Sequence, residues 1–329
     1  MPRVVTGIKP TGRPHLGNYL GMIRPGLEAA SAGNALFFIA DYHALTTTRS
    51  AAQLRAGVFD LAATLIAFGL EPGRTVLYRQ SDLPEVCELA WILACVASKG
   101  LLNRAHAYKS AAQRNIALGR DPDSGVSTGL FSYPVLMAAD ILIHRAEAVP
   151  VGRDQRQHVE MAREMARSFN RSYGPVLLVP EAIVDERVMT IPGLDGRKMS
   201  KSYGNQLALA ATPSQIRSRL ARIVTDSRSP SERKEPDTIL ALYRAVASAA
   251  ETAELERRYR EGGTGYAEAK ALLAEAVDAL VGPARARHAE LMSDPGALAD
   301  ILADGARRAR ASAAPTLAAV RSATGLSRD

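Results

Sequence analysis

Apolar positions in the first half of the chain fall into short runs set between amphipathic stretches. Val4–Thr6 is a β-branched run, and Ala35–Ala40 (ALFFIA) is apolar at every position, as a strand covered on both faces requires. Thr75–Tyr78 and the stretch Val149–Gly152 have the same character, and Val176–Val179 is the candidate for a further strand. Between these runs the period becomes helical. Ala51–Phe68 reads as an amphipathic helix, Pro84–Ser98 as a helix opened by its proline, and Arg153–Asn170 as a helix with Asp154 in its first turn. Gly129–His144 is apolar almost throughout, and the polar, glycine-containing stretch Lys109–Thr128 before it is expected to be a mobile connection. Strands alternating with helices predict an α/β fold, a Rossmann-like parallel sheet with helices on its faces.

From Thr212 onward the pattern is helical only, rich in alanine and arginine, with breaks at Ser227–Asp237, Gly262–Gly265, Gly282–Pro283 and Asp294–Gly296. The predicted division is a catalytic domain over 1–186 and a clamp loop with an all-helical domain over 187–301. The last helix, about 302–329, is expected to return to the first domain.

Two stretches carry chemistry. The first, VVTGIKPTGRPHLGNYLG from Val4 to Gly21, runs from a strand through a Gly/Pro-rich loop into a helix N-terminus. Such a corner points backbone N–H groups outward and favours an anion. His15 and Asn18, at i and i+3, can face one spot, and Gly17 between them lets a bulky ligand reach the backbone. The second, Lys198-Met199-Ser200-Lys201-Ser202, follows the turn-forming run Pro192–Gly196. Two lysines and two serines in five residues suit a clamp on phosphate oxygens; a solvated basic loop is the plainer alternative.

Asp140 stands in VLMAADILI, an almost wholly apolar helical segment. A carboxylate there needs a partner, because its desolvation is costly. It is either a structural ion pair or cap, or an acceptor for a buried ligand donor. An indole N–H, which can only donate, would suit it.

PHLGN together with KMSKS resembles the two nucleotide-binding signatures of class I aminoacyl-tRNA synthetases. PTGxxHLGNYLG, YPVLMAADIL and VPVGxDQxQH resemble the bacterial tryptophanyl-tRNA synthetases in particular, in order and at family-like spacing from about Val4 to about Gly204. The resemblance implies ATP as substrate with Mg²⁺ on its phosphates, L-tryptophan and tRNA(Trp) as partners, and a homodimer. It implies catalytic roles for His15, Asn18, Lys198 and Lys201. ATP would be held by Lys9, Pro10, Thr11, Gly17, Gly152, Arg153, Asp154 (at the ribose), the Val188 backbone (at adenine), Met199, Ser200, Ser202 and, from the mobile connection, Lys109. Asp140 would hold the indole nitrogen, with Tyr133, Met137, Val149, Val151, His43 and Val5 around it. Tyr133 and Gln155 would take the amino and carboxylate ends of the amino acid. Two departures stand out: Val5 replaces an aromatic residue of some relatives, and Lys9 replaces a common glutamine.

Composition narrows the alternatives modestly. The chain has 329 residues, 47% hydrophobic and 23% charged, enough for two domains. A net charge of +7 is compatible with a polyanionic partner. The two cysteines, Cys87 and Cys95, are ~12 Å apart if both lie on one helix, beyond disulfide reach. MPRVVTG leads directly into a strand without a signal peptide, and no apolar run is long enough to span a membrane, so a cytoplasmic protein is expected. A tyrosyl-tRNA synthetase, a non-aminoacylating tRNA- or partner-binding paralogue, and a small-molecule nucleotidyltransferase are the competing functions.

Overall fold

A computed structural model describes residues 3–31, 34–151, 156–184 and 191–327. Its centre is a sheet of five strands, β1 (Val4–Ile8), β2 (Ala35–Ile39), β3 (Val76–Arg79), β4 (Ala148–Val151) and β5 (Glu181–Val184), in the order β3-β2-β1-β4-β5. Every neighbouring pair is parallel. The register Val4↔Ala35 to Ile8↔Ile39 lets successive residues serve opposite faces. Phe37 and Ile39 join the core on one face, and Leu36 and Phe38 join the core on the other. That is why ALFFI is apolar throughout. The strand order reverses between β1 and β4, and the crevice at their carboxyl ends is where such sheets bind ligands.

Fourteen helices are described. In the first part they are α1 (Leu16–Asn18), α2 (Arg24–Ser31), α3 (Asp41–Ala44), α4 (Ala51–Ala67), α5 (Glu85–Ala94), α6 (Lys99–Asn103), α7 (His106–Ala117), α8 (Thr128–Leu142) and α9 (Arg156–Tyr173). A π-helical turn, Tyr19–Ile23, joins α1 to α2. The second part holds α10 (Pro213–Ala221), α11 (Thr238–Val246), α12 (Ala249–Glu261), α13 (Tyr266–Ser293) and α14 (Pro295–Thr324). Side-chain caps explain many of the starts: Ser50, Ser98, Ser127, Asp237 and Asp294 each accept from a backbone N–H of the first turn. Thr212 with Gln215 and Ser248 with Glu251 form complete capping boxes.

Three stretches depart from the sequence pattern. Val176–Val179 is not a strand, because Asn170 intercepts its backbone: Oδ1 accepts from Val176 N at 3.2 Å and Leu177 N at 2.9 Å, and Nδ2 donates to the Leu177 carbonyl at 2.7 Å. The edge strand is the next apolar run, Glu181–Val184. Half of the expected 109–128 connection is helix α7, which buries none of its side chains. Its polarity reports exposure rather than disorder, and Asn115 Nδ2 pins the following turn at the carbonyls of Pro122 and Ser124, at 2.9 and 2.8 Å. Gly282–Pro283 does not break the tail, since α13 continues through it to Ser293.

Helix α14 begins at Pro295 and returns along β3. Leu298 and Leu302 belong to the core shared with the helical part, and Ala306, Ala309, Ala313, Leu317 and Val320 to the core on the opposite face. Gly305 lies at the crossing. A Cβ there would stand 1.8 Å from the Leu77 carbonyl oxygen, so helix and strand backbones touch only because the side chain is absent. Arg310 and Arg321 fasten the helix to Glu85 at 2.9 Å and to Glu88 at 2.7 Å. Gly305→Ala should therefore lower stability by ~1–3 kcal/mol or more, as overpacking does. Gly282→Ala, where a Cβ would meet nothing closer than 3.7 Å, should be neutral or stabilising. Urea titration of both variants checks this; equal stabilities would place α14 wrongly against β3.

Candidate functional site

The β1 carboxyl end leads into a loop whose residues are fixed from several sides. A Cβ at Gly57 of α4 would stand 2.6 Å from the Pro10 carbonyl oxygen, so the mid-helix glycine seats the loop. The Lys201 ammonium donates to the Thr11 carbonyl oxygen. Gly12, at φ +71°, turns the chain beneath that ammonium.

His15 is the N-cap of α1, with extended backbone, and Asn18 is its third helical residue. The two cap each other. His15 Nδ1 accepts from Asn18 N at 3.3 Å, and Asn18 Oδ1 accepts from His15 N at 3.1 Å. This assigns the imidazole tautomer: with Nδ1 accepting, the proton is on Nε2. Burial and the nearby Lys201 charge lower the His15 pKa to about 4, so the ring is neutral at pH 7. The cap uses the one lone pair of His15 Nδ1 and one of the two on Asn18 Oδ1. Nε2–H of His15 and the Nδ2 amide of Asn18 remain as donors with no partner among the described residues.

The clamp is anchored to this corner. Met199 is buried, its N donates to the Ile191 carbonyl at 2.9 Å, and its Sδ lies 3.2 Å from Gly17 N. A Cβ at Gly17 would press on both Met199 and His15 at 3.2 Å. Past the clamp, Leu16 N donates to the Leu207 carbonyl at 2.8 Å and Leu209 N to the Pro14 carbonyl at 3.2 Å. The two signature stretches, some 180 residues apart in the chain, form one hydrogen-bonded unit.

Asn205, absent from the sequence reading, organises the clamp. Its Oδ1 accepts from Ser200 N at 2.8 Å, and its Nδ2 donates to Asp195 Oδ1 at 2.6 Å and to the Lys198 carbonyl at 3.2 Å. A Cβ at Gly193 would collide with its amide at 2.2 Å. Lys198 remains exposed, with no side-chain partner among the described residues. The Lys201 pKa is lowered by burial, against the opposing pull of Asp60.

Helix α8 meets the loop before the corner, where the Lys9 ammonium lies over the Tyr133 ring. Tyr133, Met137 and Asp140, at i, i+4 and i+7, share one helix face. Val5 and Val149, buried on neighbouring strands β1 and β4, lie in the core beneath. Tyr133 is a hub: its hydroxyl is 2.5 Å from His158 Nε2, its ring meets the His43 ring edge-on at 6.2 Å, and the Lys9 ammonium lies 5.5 Å from its ring centroid. Lys9 is exposed with its ammonium over the Tyr133 ring, and desolvation there holds its pKa below the usual lysine value.

Asp140 is 0% exposed. Both alternatives open at the sequence level meet in it: it has structural partners, yet keeps acceptor capacity. His43 Nε2 lies 2.9 Å from Oδ2, and Gln80 Nε2 lies 2.8 Å from each oxygen. Burial raises the Asp140 pKa, opposed by His43 and Gln80, while Asp41 adds to the rise. A carboxylate offers about four lone-pair sites, so one remains for a ligand donor.

Not every expected residue joins the site. Lys109 is exposed on α7, and none of its contacts reaches the corner. Gly152, Arg153, Asp154, Gln155 and Val188 lie outside the described residues, and the Val151 and Ser202 side chains are not described. Gln80, His158 and Asn205 were not singled out in the sequence. His158 ends the VPVGxDQxQH motif, and Asn205 follows the clamp within YGN, so both were within reach; Gln80 gave no signal of its own. Among the described residues no three His, Cys, Asp or Glu side chains gather as a metal site. No described helix is long and apolar enough to cross a membrane.

Comparison with known proteins agrees with this geometry. The family model for tRNA synthetases class I (W and Y) matches residues 1–286. The tryptophan–tRNA ligase of Pseudomonas aeruginosa is 50% identical over 331 residues, covering 98% of this chain and 74% of that protein. Its counterpart from Bordetella parapertussis is 50% identical over 330 residues, covering 98% and 73%. The crystal structure of tryptophanyl-tRNA synthetase from Campylobacter jejuni, complexed with ADP and tryptophan, superposes with a TM-score of 0.88 at 39% identity, over 98% of this chain and 100% of that one. The chain belongs to the class I (W and Y) tRNA synthetases and, within them, to the tryptophan–tRNA ligases.

Proposed function

We propose that this chain activates L-tryptophan with ATP, releasing pyrophosphate and forming tryptophanyl-adenylate, and then transfers the tryptophanyl group to tRNA(Trp). The observation that carries this reading is the contact of the two signature stretches at Gly17 and Met199, together with the fully buried carboxylate Asp140 on the face of α8 that bears Tyr133 and Met137. The indole N–H would donate to the remaining lone pair of Asp140. A phenol would need a donor opposite its own oxygen as well, so the pocket favours tryptophan over tyrosine.

In the first step the tryptophan carboxylate oxygen attacks the α-phosphorus and the bond to pyrophosphate breaks. No covalent enzyme intermediate is required; the protein positions the groups and stabilises charge on the phosphoryl oxygens. His15 Nε2–H, the Asn18 amide and the Lys198 and Lys201 ammonium groups supply donors for that charge. Lys9, over the Tyr133 ring, would reach the substrate carboxylate and the α-phosphate where they meet. Gly152, Arg153, Asp154 and Val188 keep their proposed places at ribose and adenine, Gln155 at the amino acid, and Lys109 at the phosphates in a rearranged α7. Mg²⁺ belongs to the substrate in this scheme, travelling on the triphosphate and neutralising its charge.

Several arginines of the second part, among them Arg217, Arg222 and Arg260, are exposed and suit the tRNA backbone. As a partner of tRNA the protein would act in the cytoplasm. A homodimer is supported by α5, where Cys87, Trp91, Ala94 and Cys95 form an exposed stripe at helical spacing; Trp91 is 73% exposed.

Tryptophan-dependent ATP–pyrophosphate exchange tests the reading. Exchange should proceed with tryptophan and not with tyrosine. Asp140→Ala should lower kcat/KM for tryptophan by ~10- to 100-fold, the equivalent of a hydrogen bond to a charged group, without changing the KM for ATP. Unchanged tryptophan kinetics would remove Asp140 from the pocket. Lys198→Ala and Lys201→Ala should act differently, reducing kcat by ~100-fold or more, as loss of a donor to developing charge does. An effect confined to the ATP KM would leave these lysines a binding role alone.

A further inference from the structure

Gln80 belongs to neither signature stretch, yet it is 0% exposed and held more firmly than its neighbours require. It opens the 3-10 turn Gln80–Asp82 at the carboxyl end of β3. Ser81 ties this turn to Asp41 through its N at 3.0 Å and its hydroxyl at 2.5 Å. Arg79 grips Asp82 with two bonds of 2.8 Å, and Arg310 of α14 donates to the Asp82 carbonyl at 2.6 Å. The side-chain amide is oriented too. Its Oε1 faces His43 N at 3.4 Å, which leaves Nε2 to face both Asp140 oxygens. Exchanging O and N would set donor against donor at His43 and acceptor against acceptor at Asp140.

We propose that Gln80 is a specificity-determining positioning residue, which keeps Asp140 an acceptor for the ring N–H of the amino-acid substrate. The proposal rests on the assignment of Asp140 to the indole nitrogen. His43 alone cannot fix the state of this carboxylate. Its ring donates to an ionised Asp140, but the other tautomer would accept from a protonated one, so the pair has two self-consistent arrangements. Gln80 Nε2 can only donate, and it faces both oxygens, so it favours the ionised arrangement, in which both oxygens accept and each bond is charge-assisted. The remaining groups do not replace it. Asp41 disfavours the Asp140 charge, and Tyr78 and Cys87, pushed up chiefly by burial, are pushed up further by that charge. Without the Gln80 amide, burial weighs more heavily against the Asp140 charge, and a protonated Asp140, its O–H turned to His43, is a weaker acceptor for the indole N–H.

The test compares tryptophan with β-(benzothiophen-3-yl)alanine, which has sulfur in place of the ring N–H. Pyrophosphate exchange gives kcat/KM for each in wild type, Gln80→Met and Gln80→Glu. Wild type should prefer tryptophan by roughly tenfold or more. Gln80→Met should narrow that preference at least fivefold, through the tryptophan KM, with the ATP KM unchanged. Gln80→Glu places a second carboxylate against the first, so the two share a proton, and should narrow it too. If Gln80→Met does not fold, Gln80→Glu, of nearly the same shape, decides. A purely structural role would weaken both amino acids equally, and an unchanged ratio in a folded variant overturns the proposal. A wild type without preference instead overturns the Asp140 assignment beneath it.

Discussion

The reciprocal cap between His15 and Asn18 is the constraint from which the rest of the site follows. Two side chains, each able to donate and to accept, are placed so that each accepts from the other's backbone. Their N–H groups, His15 Nε2–H and Asn18 Nδ2, are left as donors, which is what an anion site requires. It needs no titration to reach that state, because burial keeps the imidazole neutral. Bonds from Leu16 and Pro14 to the segment after the clamp, and from Gly17 to Met199, carry the constraint to Lys198 and Lys201. A change in the clamp is therefore felt at the helix N-terminus, and the reverse.

The amino-acid pocket follows the opposite rule. Its floor and wall are apolar, and its deepest polar group is an acceptor whose surrounding donors are fixed by the backbone of α3 and the turn after β3. The donors of the corner and the acceptor of Asp140 both lie toward the carboxyl ends of the strands. Glycines permit the close approaches that hold this together: Gly57 under the Pro10 carbonyl, Gly193 against Asn205, Gly305 on Leu77. The last also explains why α14, distant in sequence, can reach the turn that carries Gln80.

Much of this was legible in the sequence. The apolar runs located four of the five strands, and the parallel sheet followed from their alternation with helices. The signature stretches gave His15, Asn18, Met199 and Lys201 their common place, and the lone carboxylate in VLMAADILI marked Asp140. What escaped was decided by tertiary partners. Asn170 removed a strand from Val176–Val179 by taking its backbone, and a helix at His106–Ala117 looked like a loop because none of its side chains is fully buried. Gln80 follows a strand as any polar residue might; its role depends on His43 and Asp140, 37 and 60 residues away.

The state of the His15 ring tests the account most directly. Long-range ¹⁵N–¹H correlation spectra of histidine-labelled protein, with His15 assigned by a His15→Gln variant, report which ring nitrogen is protonated. Between pH 6 and 7 His15 should show a protonated Nε2 and an unprotonated Nδ1, and it should titrate only near pH 4. A proton on Nδ1, or titration at the ordinary histidine value of ~6.5, would contradict a neutral His15 that caps through Nδ1 and donates through Nε2.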